Sequence, residues 1–269
     1  MRADQETYTH GHAESVLRSH ARRTVADSAA YVADRLVPGV HVLDVGCGPG
    51  TISVDIAARV APGRVLAIDA AAGPLESARG LAAAAGLDTI TFRTGDVYAI
   101  DAPDDTFDVV HAHQVLQHLG DPVAALREML RVCRPGGVVA ARDADYAAMT
   151  WYPPDPRLDR WQQIYRAVAH GNGAEPDAAR HLLAWAHAAG AGAVRPSASV
   201  WCYATPGDRA WWGGMWADRI VSSAIAGQAV EGGHADADEL RAISAAWREW
   251  AEQPDGWFAI LHGEIVCAP

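Results

Sequence analysis

Val42-Leu43-Asp44-Val45-Gly46-Cys47-Gly48-Pro49-Gly50 places three glycines in five positions directly behind a short apolar run. Glycines so spaced let a backbone turn tightly and let a ligand approach where a Cβ would otherwise stand. The segment after them has helical spacing, and a helix N-terminus favours a carboxylate or phosphate. The pattern is G-x-G-x-G. Thr51 occupies the position at which the dinucleotide fingerprint G-x-G-x-x-G needs its last glycine. An acid, Asp44, precedes the first glycine by two residues. Alone, the turn leaves a tight structural turn and a nicotinamide site open.

Three further groups fall at comparable places. Asp69 ends the next apolar run, 19 residues past Gly50. An acid there can accept both hydroxyls of a ribose, or can cap a helix. Gly95-Asp96-Val97 follows a third run, where a carboxylate can meet an adenine amino group or simply close a turn. His111-Ala112-His113-Gln114 ends a fourth. If all the runs are parallel strands, these groups share the carboxyl edge of one sheet, where open α/β sheets bind ligands.

The histidines admit two chemistries. His111, His113 and His118 lie close in sequence, as do His10, His12 and His20. A zinc site needs three or four converging ligands. Strand alternation sends His111 and His113 to one face, but nothing places a third ligand, so no metal is expected. Imidazole titrates near neutrality, so His113 and His118 are candidates for acid–base work. Each is equally open to a structural, hydrogen-bonded role.

The elements that must position these groups follow from periodicity. Residues 13–36 repeat apolar side chains at helical spacing and stop at Pro38-Gly39. Strands are expected at 40–45, 64–68, 90–94, 107–112 and 138–142, and helices at 51–60, 73–85 and 122–133. Strands alternating with helices at this pace imply a parallel, doubly wound sheet with right-handed crossovers. Beyond Asp143 the alternation ends. A helical stretch reaches about Ala189, followed by a strand at 194–204, helices at 209–227 and 236–252, and a closing strand at 258–268.

Composition agrees with a globular chain. Of 269 residues, half are apolar and 20% are charged. All 22 basic residues are Arg, and the net charge of −11 disfavours generic phosphate-backbone binding. Arg18, Arg22 and Arg23 form a local cluster that also reads as a solvated helix face. The four cysteines lack CxxC spacing. No run approaches the roughly 20 apolar residues of a membrane span, and the opening residues have no apolar signal core, so a cytoplasmic protein is expected. All ten Trp residues follow residue 150. Trp211, Trp212 and Trp216 can form one helical cluster and Trp247 and Trp250 another, as core packing or as walls of an apolar pocket.

Taken as a set, VLDVGCGPGT, AIDAA, TGDV, FDVVHAHQVLQHL and LREMLRVCRPGGVV resemble the successive motifs of class I S-adenosylmethionine-dependent methyltransferases, with a likeness to the quinone-biosynthesis branch over about residues 40–142. The opening YTHGHAESVLRSHARRT and the ending GWFAILHGEIVC resemble small-molecule enzymes that include thiol S-methyltransferases of natural-product pathways.

The resemblance implies an α/β fold with a seven-stranded Rossmann-like sheet, helices on both faces and a helical cap. It divides the chain into an N-terminal helical segment over the site (1–39), a cofactor-binding core (40–145) and cap segments with the last two strands (146–269). It implies S-adenosyl-L-methionine as cofactor and S-adenosyl-L-homocysteine as product. Gly46, Cys47 and Gly48 would line its methionine and ribose portion, Asp69 its ribose hydroxyls and Ala70 its adenine. Asp96 and Val97 would meet the adenine edge, and His113 and Gln114 the methionine end. Tyr8 and Arg23 would reach the methionine carboxylate, a role a guanidinium suits.

The expected reaction is in-line methyl transfer to a small, partly apolar acceptor at a thiol or hydroxyl, with His113 or His118 as base. Carbon methylation of a quinone-like ring is the alternative. The rivals are a nicotinamide oxidoreductase and a non-catalytic cofactor-binding subunit. The expected partner is a small-molecule acceptor, with neither nucleic acid nor membrane.

Overall fold

A computed structural model describes residues 23–269. Tyr8, His10, His12, His20 and the first part of the helix expected over 13–36 lie outside the described residues.

The chain enters through a helix α1 (Val25–Ser28), where Thr24 and Asp27 form a reciprocal capping box. Helical spacing predicts that α1 should run on to residue 36. Instead Ala29 leaves the helical region at φ −136°, and a tight 3-10 segment continues over Ala30–Arg35. The apolar side chains still reach the sheet: Val25, Ala29, Val32 and Leu36 are all buried.

Five parallel strands come next: β1 (Val42–Val45), β2 (Val65–Asp69), β3 (Ile90–Thr94), β4 (Phe107–His113) and β5 (Cys133–Ala144). Their order is β3-β2-β1-β4-β5, so the order in which successive strands are added across the sheet reverses between β1 and β4. That is the switch point at which such sheets leave a crevice. Helices α2 (Thr51–Val60) and α3 (Gly73–Ala84) lie with α1 on one face, and α4 (Pro122–Val132) lies on the other. Asp121 caps α4 by accepting from the Ala124 amide, and Pro122 takes the first helical position, where its missing N–H costs nothing.

Among the described residues eight strands form the sheet, one more than the seven expected. The extra one is β6 (Thr150–Tyr152), too short to show as periodicity. Helices α5 (Pro156–Gly171) and α6 (Leu182–Ala189) precede strand β7 (Val194–Tyr203). The helix expected over 209–227 is two helices, α7 (Pro206–Ser222) and α8 (Ala224–Glu231), broken where Ser223 turns extended. α9 (Ala237–Glu252) and β8 (Trp257–Cys267) end the chain.

β8 runs antiparallel to β5 over residues 262–267 and to β6 over 257–259, and β7 pairs along its whole length. Since β5 stops opposite His262, the first part of β8 overhangs the carboxyl edge of the sheet. This overhang carries the cap. Phe258 and Ile260 join the aromatic core formed by Trp161, Trp216 and Trp247. Trp161 is fully buried and meets Trp216 at 4.6 Å and Trp247 at 4.9 Å, both edge to face, the arrangement ring quadrupoles favour. The bland alternative for these tryptophans, core packing, therefore holds for this group.

Truncating this centre tests the cap as one cooperative unit. Trp161→Ala should cost about 3–5 kcal/mol, read as a lowered urea midpoint with little change in slope.

Candidate functional site

The glycine turn stands at the carboxyl end of β1. Gly46, Gly48 and Gly50 have φ of +66°, +52° and +81°, a region L side chains avoid. Space forbids side chains too. A Cβ on Gly46 would stand 2.4 Å from Val115 Cγ2, and one on Gly50 would stand 2.6 Å from Ala78 Cβ. Gly50 is the N-cap of α2 and supplies no side-chain hydrogen bond to it.

Asp69 ends β2 and fixes this turn. Its carboxylate accepts from the Gly48 amide at 2.8 Å and from the Ala71 amide at 2.9 Å. The Cys47 amide bonds the Ile68 carbonyl. The acid that should meet a ribose is therefore locked in orientation before any ligand arrives. Ala70 beside it is exposed. Cys47 is half-buried, and burial together with Asp44 and Asp69 pushes its thiol well above the usual range, so it is no nucleophile.

Asp96 closes the turn after β3 by accepting from the Tyr98 amide at 2.9 Å. Val97 is buried in the core beside Ile68 and Ile100. Its side chain is thus taken up by packing, and any ligand contact would come from its backbone.

The end of β4 is more polar than its strand pattern suggested. His111 Nδ1 lies 2.7 Å from Asp44 Oδ1, and the other Asp44 oxygen accepts from Ser53 Oγ at 2.5 Å. His111 is therefore structural, tied to β1. His113 points to the same face and is 5% exposed. Neither of its ring nitrogens has a hydrogen-bond partner among the described residues. Burial, followed by the charges of Arg23 and Arg142, holds its pKa well below the imidazole range.

Gln114 has φ +54°, an unusual conformation for a non-glycine residue and one that concentrates at functional sites. Its side chain accepts from Arg23 at 2.5 Å, and its amide nitrogen lies 3.0 Å from His262 Nε2. His118 is half-buried with its ring nitrogen 3.1 Å from Gln117 Nε2. Burial and Arg23 push its pKa down to about 3. The structure thus gathers Arg23, His113 and Gln114 at one edge.

Several residues of this edge were not singled out from sequence. Arg142 is 1% exposed, bonds Ser199 and pairs with Glu264 at 3.2 Å. His262 is fully buried, and its pKa is held well down by burial and the two arginines. Trp201 covers Arg142 and meets the His262 ring at a tilt, centroids 4.4 Å apart. One signal was present: Arg142 and Asp143 interrupt an otherwise apolar buried strand, and charges so placed must be paired or functional. Among the described residues, no group of three His, Cys, Asp or Glu side chains converges to hold a metal.

Asp143 points to the opposite face, fully buried. Oδ1 accepts from the Gln117 amide at 3.1 Å, pinning the turn that carries His118, while Oδ2 has no partner. Burial pushes its pKa up to about 7 against the opposing pull of the Val115, Leu116 and Gln117 amides and Arg142.

Comparison with known proteins agrees with this geometry. A family model described as a methyltransferase domain matches residues 36–196. An uncharacterized methyltransferase of Schizosaccharomyces pombe is 34% identical over 98% of this chain and 96% of its own length. A demethylmenaquinone methyltransferase of Symbiobacterium thermophilum is 39% identical, over 37% of this chain and 41% of that protein. In fold, the chain is similar to a Haemonchus contortus phosphoethanolamine N-methyltransferase crystallised with S-adenosylhomocysteine. The TM-score is 0.56 at 14% identity, over 89% of this chain and 52% of that one.

Asp143 makes stability depend on pH. Its folded pKa exceeds the unfolded value of 3.8, so folding is favoured while the group keeps its proton. Stability from this source is full below about pH 4, declines as pH rises towards 7, and is flat above. Asp143→Asn should abolish that decline, gaining on the order of 2–4 kcal/mol over the parent at pH 8 and little at pH 4. Urea titrations at the two pH values check this.

Proposed function

This chain belongs to the class I S-adenosylmethionine-dependent methyltransferases, and we propose that it methylates a small, partly apolar acceptor at a thiol or hydroxyl. The observation that carries the reading is the buried imidazole of His113, without a hydrogen-bond partner among the described residues, at the end of β4 between Trp201 and His262.

The glycine turn suits the cofactor: Gly46, Gly48 and Gly50 hold a left-handed backbone with no Cβ to obstruct a ligand, and Asp69 stands fixed beside it. When bound, S-adenosylmethionine supplies an electrophilic methyl group on a sulfonium. In our reading Asp69 takes the ribose hydroxyls, and the turn from Gly46 to Gly48 admits the ribose and methionine portion. Arg23 and Gln114 meet the methionine end. The protein's main task is then to hold a nucleophile about 3 Å from the methyl carbon, in line with the breaking bond.

His113 stays neutral through the physiological range because its pKa is depressed. A neutral imidazole accepts a hydrogen bond from an S–H or O–H group and orients its lone pair. Its low basicity gives little driving force for taking a proton from an aliphatic alcohol, so the reading favours thiols and phenols. Carbon methylation of a quinone-like ring is the second reading, supported by the likeness of the core to demethylmenaquinone methyltransferase. We further infer a cytoplasmic enzyme of natural-product metabolism. No helix among the described residues is long and apolar enough to cross a membrane.

Two measurements follow from these roles. Asp69→Ala removes charge-assisted bonds worth roughly 1.5–3 kcal/mol each. Calorimetry should show S-adenosylhomocysteine affinity reduced about tenfold to a thousandfold in a folded protein; parental affinity would remove Asp69 from the ribose.

A labelled-methyl screen over thiols, phenols and quinols should yield S- or O-methyl products, and product labelled only at ring carbon would overturn the proposal. His113→Gln should lower kcat about a hundredfold for a phenol and much less for an acidic thiol, which is already ionised. Since His113 is neutral well below pH 6.5, it should add no acidic limb to kcat/KM between pH 6 and 8.

A further inference from the structure

Trp201 sits on β7, the outer strand of the sheet, and reaches five partners. Its indole N–H donates to the Asp27 carbonyl at 2.8 Å. The guanidinium of Arg23 lies 5.5 Å from its ring centroid and that of Arg142 lies 4.8 Å away. The same ring meets His262 at 4.4 Å and His113 at 5.5 Å.

We propose that Trp201 is a positioning residue for the methyl donor, acting through Arg23. Arg23 stands one residue before the cap of α1, and Asp27 lies inside that helix. A single indole therefore fixes the backbone of α1 through one bond and the side chain just ahead of it through its π face. A cation within about 6 Å of an indole face is attracted by the ring quadrupole. So held, Arg23 donates to Gln114, and Gln114 keeps a left-handed conformation that needs support. His262 takes the other end of that amide. Trp201 thus transmits the position of the cap's outer strand to the residue that follows His113.

Packing alone would give Trp201 a different signature. An aliphatic side chain of similar reach would then serve as well, and loss of the ring would change stability rather than affinity. The proposal rests on the reading that Arg23 meets the methionine carboxylate. The test separates the two, because that reading stands or falls on Arg23→Gln alone.

The experiment measures S-adenosylhomocysteine dissociation constants by calorimetry, with melting temperature as a control. The proteins are the full chain and its Trp201→Phe, Trp201→Leu, Trp201→Ala, Arg23→Gln and Trp201→Leu/Arg23→Gln variants. Trp201→Leu keeps apolar bulk and guards against an Ala variant that does not fold. Expected are losses of tenfold or more for Leu, Ala and Arg23→Gln, and recovery to within about threefold of the parent for Phe, whose ring still faces the guanidinium. The double variant should be no more than about threefold weaker than the worse single, because both changes remove one support. Parental affinity in a folded Trp201→Leu, or losses that multiply in the double variant, would overturn the proposal. A weakened Trp201→Leu beside an unaffected Arg23→Gln would overturn it as well, and would take the Arg23 reading with it. Weakening by Arg23→Gln alone would leave that reading intact without Trp201.

Discussion

Asp44 carries a carboxylate into the interior of the sheet, and much of the cofactor edge depends on how that charge is satisfied. It is 3% exposed, so leaving it unpaired would cost several kcal/mol. Its two oxygens reach Ser53 on α2 and His111 on β4. One side chain thus sets the helix behind the glycine turn and the strand ahead of His113 in fixed relation to β1. The turn lies two residues further on, where Asp69 grips it from β2. α1 is drawn into the same frame, because the Val25 amide donates to Asp55 on α2. A site spread over three strands and two helices is held together by carboxylates that each serve two elements.

The second constraint is the length of β8. Had the last two strands ended level with β5, the carboxyl edge would stand open. Their overhang instead lifts Phe258 and Ile260 above the edge, and the cap's tryptophans gather on them. Trp201 pairs with Ile260, packs against the same cluster, and brings its ring to Arg23 and His113. The aromatic core and the end of β4 therefore share a support, and the Trp-rich second half of the chain packs on the antiparallel pair of β7 and β8.

The cofactor half was readable because its signals are local. Strand, glycine turn and helix follow within one stretch, and the expected strand at 90–94 matches β3 residue for residue. Asp69, Asp96 and His113 fall at strand ends by counting alone. What was not readable is long-range. Arg142 and Glu264 are 122 residues apart and meet only when β5 pairs with β8. Gln114 and His262 are 148 apart. No periodicity registers such pairs. The break at Ala29 and the split at Ser223 were missed for another reason: apolar spacing records which side chains must be buried, and both a 3-10 segment and a second helix bury them as well as one continuous helix would.

The edge brings charges of both signs close together. The protein carries a formal charge of −11, yet the cationic side chains at this edge are Arg23 and the buried Arg142. Both depress His113 and His262, and Arg23 depresses His118 as well, so that three neutral imidazoles stand around fixed positive charge. The carboxylates of the same sheet face are occupied: Asp44 holds Ser53 and His111, and Glu264 holds Arg142, Ser197 and Ser199. Arg142 is balanced by Glu264, so the charge set ahead of β4 is the guanidinium that Arg23 brings to Gln114. On the proposed reading, an acceptor that arrives already ionised needs orientation more than proton removal, and imidazoles kept neutral by burial can orient it without adding charge.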